Sequence, residues 1–310
     1  MEFYIVDVFA EGKYSGNQLA VFVCRSIPAD AEMQQIAREI NFSESAFILS
    51  DKESEGGWPV RIFTPASEVD FAGHPTLGAA DVIRRRLLPA PTQGHGRPKA
   101  GAGREAQAPA VQVRLRLKAG SIPVDFSADE EAPVWMRQIP PRFGSTLPAP
   151  VLAETLGLPV EAIDGRFPIQ EVSTGLPHIL VPLRSLDFLK QAKVDKARYF
   201  GLIEKTWAKN ILVFCLQGRT ESHGISVRMF ADVLGIAEDP ATGSGNGCLA
   251  GYLVKHRCLG ADSIDVVSGQ GHEIGRPSLL FLQAAAEGGE IRVRVGGRVF
   301  EVASGTWGAG

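Results

Sequence analysis

Cysteine is scarce in this chain. Cys24, Cys215, Cys248 and Cys258 are the only four in 310 residues, and no two form a CxxC pair. That spacing argues against a zinc ribbon or a disulfide framework, and it reads as reduced thiols in a cytoplasmic protein. No run reaches the ~18 apolar residues of a membrane-spanning helix, so no membrane partner is expected. The opening "MEFYIVDVFA" lacks the basic region and apolar core of a secretory leader. A net charge of −3 supplies no bulk field for nucleic acid. Arg84-Arg85-Arg86, "VRLRLK" and "IRVRV" read as solvated helix and strand faces. The glycine cluster "GSGNG" lacks the Lys-Ser/Thr ending of a phosphate loop and does not follow the strand-plus-GxGxxG pattern. No metal or cofactor is expected.

What is present is a repeated grammar. "FYIVDVF" and "QLAVFV" read as strands around a turn at Ser15-Gly16-Asn17. Asp30 is a candidate N-cap for an amphipathic helix over 31–40, with Met33, Ile36, Ala37 and Ile40 at helical spacing and Asn41 closing it. "SAFIL", "VRIFT", a helix over about 75–88 and the alternating "VQVRLRL" follow. The second half restates this. "PIQEVSTGLPHILVPL" is strand, turn and strand, "ISVRMF" parallels "PVRIF", and "EDPATGSGNGCLAGYLVKH" parallels "FAGHPTLGAADVIRRRL". Pairing Ser15 with Thr174, Phe63 with Phe230 and His74 with Asp239 gives offsets of 159, 167 and 165. Near-equal offsets in order indicate two copies of one α/β unit. The expected division is 1–125 and 126–310, with the last strand packing back on the first unit. Residues 90–110, rich in Gly, Ala and Pro and containing His95, read as a flexible insertion. "IRVRVGGRVFEVAS" reads as a hairpin turning at Gly-Gly.

Chemistry concentrates at two helix starts, Gly73-His74-Pro75 and Glu238-Asp239-Pro240. Proline suits the first helical position, and Asp239, with His74 in the same place, suits the cap. Each start offers free N–H groups and a positive dipole end. Two of them facing each other would grip a small acid. Gly243, Gly247 and Gly251 lie four apart on the second helix, a face suited to close approach by surrounding strands. In "NFSESAFIL", parity puts Glu44 on the face of Phe42, Ala46 and Ile48. A carboxyl there is either solvated at the turn or buried for use. His178 reads as a structural histidine. Ser244 has no Ser-His-Asp context.

"GNQLAVF", "NFSESAF", "FTPASEVDFAGHPTLG" and "EDPATGSGNGCL" together resemble the PhzF-like phenazine-biosynthesis isomerases, within the diaminopimelate epimerase fold. The resemblance implies an α/β fold of two similar domains, each a curved, barrel-like sheet around a central helix, with the site in the cleft. It implies a cofactor-independent isomerase, a small carboxylic acid as substrate, and a homodimer. Glu44 matches the acid that shuttles a proton, with His74 and Asp239 as polar partners. Gly73 and Gly243 match donors of backbone N–H to a carboxylate, and Ser244 and Asn17 complete the substrate-binding set. Gln18 departs from the family's usual proline. The racemases of this fold carry a cysteine at each helix start, where this chain aligns Ala72 and Thr242, so two-thiol chemistry is disfavoured. A non-catalytic small-acid-binding or partner-binding protein of the same fold, or an epimerase without thiols, is the competing reading.

Overall fold

The computed structural model describes residues 1–88, 110–220 and 223–308. The insertion expected at 90–110, with His95, lies outside them except for Ala110.

The chain runs twice through one order of strand pairing. The first ladder is Val299–Thr306, Glu2–Val8, Asn17–Val23, Glu44–Ile48, Trp58–Phe63, Val111–Leu117, Gly120–Phe126 and Val134–Arg137. The second is Arg142–Thr146, Gln170–Ser173, Pro177–Pro182, Asn210–Cys215, Ile225–Ala231, Ser263–Gln270, Ser278–Glu287 and Glu290–Gly297. In both, the third and fourth strands are parallel, the fifth and sixth are parallel, and all other neighbours are antiparallel. Val134–Arg137 pairs with Glu290–Gly297, joining the two ladders. Each sheet curves around one buried helix, Gly73–Val82 in the first and Gly243–Lys255 in the second. These helices are apolar on nearly all sides, as a helix enclosed by a sheet must be. A second helix in the first half, Asp30–Ile40, covers the outer face. It buries Met33, Ile36 and Ala37 in a cluster with Phe22, Phe47 and Phe63.

Three local expectations are corrected. Ala29, not Asp30, is the cap of Asp30–Ile40; Asp30 is its first residue and pairs with Arg61. The helix caps at the two central helices are Ala72 and Thr242. His74 and Pro75 are therefore second and third in their helix, while Asp239 ends the short strand Ile236–Asp239 three residues ahead of the other cap. Finally, Gly296-Gly297 is not a hairpin turn. Glu290–Gly297 belongs to the second ladder and Val299–Thr306 to the first, so the chain crosses between halves at this point. These glycines serve close approach instead. A Cβ on Gly296 would lie 2.7 Å from the Trp135 ring, and one on Gly297 would lie 2.2 Å from Phe9 Cδ1. The real two-residue turn is Gly288-Gly289, with φ of 60° and 85° between the paired Glu287 and Glu290. Among the described residues no helix is long and apolar enough to cross a membrane.

Candidate active site

The two central helices meet tip to tip. A Cβ on Gly73 would lie 3.2 Å from Gly243 Cα and 3.4 Å from Ser244 N, so glycine is what lets the tips touch. Two positive helix ends and their unpaired N–H groups thus converge at one place. Gly243 also faces the Phe9 ring, where a Cβ would lie 3.1 Å from Cζ. Gly247 faces Thr174 and Gln138, and Gly251 faces Pro141, so the glycine stripe does admit its neighbours closely.

Glu44 is the first residue of its strand and shares the inward face of Ala46 and Ile48. Its side chain keeps only 17% of its surface, along a groove of about 1200 Å³ between the halves. Phe42 and Thr64–Ser67 line one wall of this groove, and Val194 and Leu234 line the other; Glu44 is the one candidate site residue in its lining. Desolvation, reinforced by the charge of Asp239, pushes the Glu44 carboxyl up to about 8.

His74 Nε2 lies 3.6 Å from Glu44 Oε2, is buried, and has no hydrogen-bond partner. The other ring nitrogen donates to the backbone carbonyl of Gln18, which leaves a bare lone pair at Nε2. Burial pulls the imidazole down to about 3, so the pair at neutral pH is a carboxylic acid facing a neutral ring rather than an ion pair. Proline also has a carbonyl, so the departure at Gln18 costs this contact nothing.

Asp239 is buried and bonded on both oxygens. Asn17 Nδ2 donates to Oδ1 at 2.9 Å, and Thr242 Oγ1 donates to Oδ2 at 2.5 Å. Asn17 also donates to Ala241 O at 3.0 Å, so one amide from the first half braces the loop of the second. Burial raises the Asp239 carboxyl to about 6, against the lowering effect of those two bonds. Arg276 holds the turn that carries Asn17, reaching Asp7 Oδ1 at 2.7 Å, Ser15 O at 2.8 Å and Gly16 O at 3.0 Å.

The duplicated register shows which half supplies what. Ser45 pairs with Phe63, and Ile211 pairs with Phe230, so Glu44 corresponds to Asn210. Ile62 pairs with Val69, and Met229 with Asp239, so Asp239 corresponds to Val69 rather than to His74. From the two caps, His74 corresponds to Ser244. Each polar group occurs once, on a frame that could have carried it twice. The expected set is thus brought together around the helix tips: Glu44, His74, Gly73 and Asn17 from one half, Asp239, Gly243 and Ser244 from the other. His178 is buried in the second half, with Nδ1 on Leu176 O at 2.9 Å, and packs beside the first turn of the second central helix, where a Cβ on Gly245 would lie 3.3 Å from its Cδ2. Cys248 is close to it, and burial pushes that thiol to about 12, well away from a reactive thiolate. Among the described residues no cluster of three or more metal-ligating side chains exists. Sequence reading placed Thr242 only as a non-thiol at the second helix start and missed Asn246 and Gln270, which with it form a buried network behind Asp239, and Phe9, which faces the second helix tip in a left-handed conformation at φ 58°.

Two curved ladders, each wrapped on a central helix and meeting at the helix tips, define the diaminopimelate epimerase-like class of fold. A probable proline racemase from Agrobacterium radiobacter shares it at a TM-score of 0.62 and 12% identity, covering 100% of this chain and 93% of the other. The chain belongs to a narrower group: residues 6–305 match the family model PhzC-PhzF, phenazine biosynthesis-like protein. The trans-2,3-dihydro-3-hydroxyanthranilate isomerase of Pseudomonas fluorescens is 33% identical over 306 residues, 98% of each chain. A PhzF-family phenazine biosynthesis protein of Bacillus anthracis superposes at a TM-score of 0.83, with 25% identity over 98% of this chain and 97% of the other. The chain is an isomerase of this family.

Proposed function

We propose that this isomerase moves a proton between two carbons of a small carboxylic acid, with Glu44 as the single group that takes it and returns it. The observation that carries this reading is the asymmetry of the duplicated frame. Glu44 has an amide, Asn210, at its counterpart, and the two helix caps are Ala72 and Thr242. A two-base racemisation needs a second proton acceptor on the opposite face of the carbon. An amide, a methyl and an ordinary hydroxyl do not supply one.

The converging N–H groups of Gly73, Gly243 and Ser244 suit the substrate carboxylate and the negative charge that develops beside it. His74 Nε2 and the oriented Asp239 carboxylate suit the substrate's heteroatoms. Trans-2,3-dihydro-3-hydroxyanthranilate, on which the named relatives act, is the first substrate to test. The four cysteines form no disulfide and suit a reducing compartment such as the cytoplasm.

Turnover in deuterated water should place at most one solvent deuteron at the carbon that receives the proton, the fraction set by how far the Glu44 carboxyl exchanges with solvent before it returns the proton. Because kcat/KM reports groups of the free enzyme, it should climb with pH and level off above about 8, where Glu44 begins the cycle as a base. A profile already flat from pH 6 upward would remove Glu44 from that role.

A further inference from the structure

Behind Asp239 lies a side chain that no motif announced. Gln270, the last residue of Ser263–Gln270, is fully buried. Its amide cannot be turned over. Oε1 accepts from Thr242 N–H at 3.3 Å, and Nε2 donates to Asp239 C=O at 2.8 Å, and both partners are backbone groups of fixed polarity. Asn246 Nδ2, at 2.8 Å from Oε1, reinforces the same orientation. Nε2 therefore also donates to Thr242 Oγ1, at 3.0 Å. That hydroxyl has one proton, and with an incoming N–H on one side its proton goes to Asp239 Oδ2 at 2.5 Å.

We propose that Gln270 is a positioning residue: it commits the Thr242 hydroxyl proton to Asp239 and so fixes the orientation and charge of that carboxylate. This rests on the reading of Asp239 as a group of the active site. The fold itself does not require the arrangement, because the other half builds the same junction without it. Leu115 and Ser268 hold the same place in the two parallel pairings, so Gln270 corresponds to Leu117. Thr242 corresponds to Ala72, and both caps are held alike, through Thr76 Oγ1 on Ala72 O at 2.7 Å and Asn246 Nδ2 on Thr242 O at 3.1 Å. A threonine–glutamine pair thus replaces an alanine–leucine pair in the half that carries Asp239. The other ionisable groups acting on Asp239 are Glu44, which it couples to, and Glu238.

The test replaces the pair by its own counterparts, Gln270→Leu and Thr242→Ala, with Thr242→Ser as the conservative control. In protein carrying 13C-labelled aspartate carboxyls, with Asp239 assigned through Asp239→Asn, the Asp239 titration should move up by about one unit in Thr242→Ala, the loss of one charge-assisted bond, and by part of that in Gln270→Leu, where the hydroxyl proton is no longer committed to Oδ2. Thr242→Ser should titrate as the wild type does. The double variant should shift no further than Thr242→Ala alone, since Gln270 acts through Thr242. With a turned-over substrate, kcat should fall tenfold or more at little change in KM. An unmoved titration in folded Gln270→Leu, or an additive shift in the double variant, overturns the proposal. These titrations need no catalysis, so they stand apart from the Glu44 reading, which turnover by Glu44→Gln would overturn.

Discussion

Glu44→Gln should lower turnover by about 10³-fold, the usual scale of a positioned acid or base, and should stabilise the fold above pH 8. Glutamine keeps the shape and one hydrogen-bonding oxygen of the side chain but carries no proton to give or take. The stability gain follows from the same burial that equips Glu44 for its role. In the folded protein Glu44 holds its proton to about pH 8, while in the unfolded chain it releases it near the ordinary 4.5. Stability is therefore fullest below the ordinary value, falls as pH rises through this window, and stays reduced above 8, where the carboxylate is ionised yet desolvated. The amide has no such loss. After allowance for the exposed part of the side chain, the gain is on the order of 2 kcal/mol, read as a higher urea midpoint at pH 9 than at pH 5 relative to the wild type. Retained turnover, or a stability difference independent of pH, contradicts the assignment.

Gly297→Ala should destabilise the protein by about 3 kcal/mol or more, at the upper end of overpacking effects. The added carbon would sit 2.2 Å from Phe9 Cδ1 and 3.1 Å from Phe9 Cα. The ring has nowhere to go, because its far edge already touches Gly243 at the helix tip. Nor can the backbone give way easily. Phe9 is in a left-handed conformation, and its carbonyl accepts from Leu279 N–H at 2.8 Å. Phe9→Leu in the same chain should restore part of the loss. Denaturant unfolding measures both. A single variant within 0.5 kcal/mol of the wild type would mean that the crossing between the two ladders is looser than this packing implies.

Much of this frame is legible in the residues. Strand parity alone turns Glu44 inward with Ala46 and Ile48, and the repeated strand–turn–strand pattern reveals the duplication because its spacing is kept on both sides. Two things mislead. Gly296-Gly297 has the composition of a turn, yet aromatic rings packed on it demand the same residue for a different reason. Gly-His-Pro and Glu-Asp-Pro look like equivalent caps, but the helices begin at Gly73 and Gly243, and only the pairing register shows that the counterpart of Asp239 in the first half is Val69. The support around Asp239 is not legible at all. Asn17 reaches it across 222 positions and Gln270 across 31, bonds that no local pattern encodes.

The most direct test is the titration of Glu44 itself, by 13C NMR of protein labelled at glutamate carboxyls, with the resonance assigned by its absence in Glu44→Gln. The account predicts an inflection at about 8 in the free enzyme. An inflection near 4.5 would show a solvated carboxylate, and the proton-carrying role would be gone.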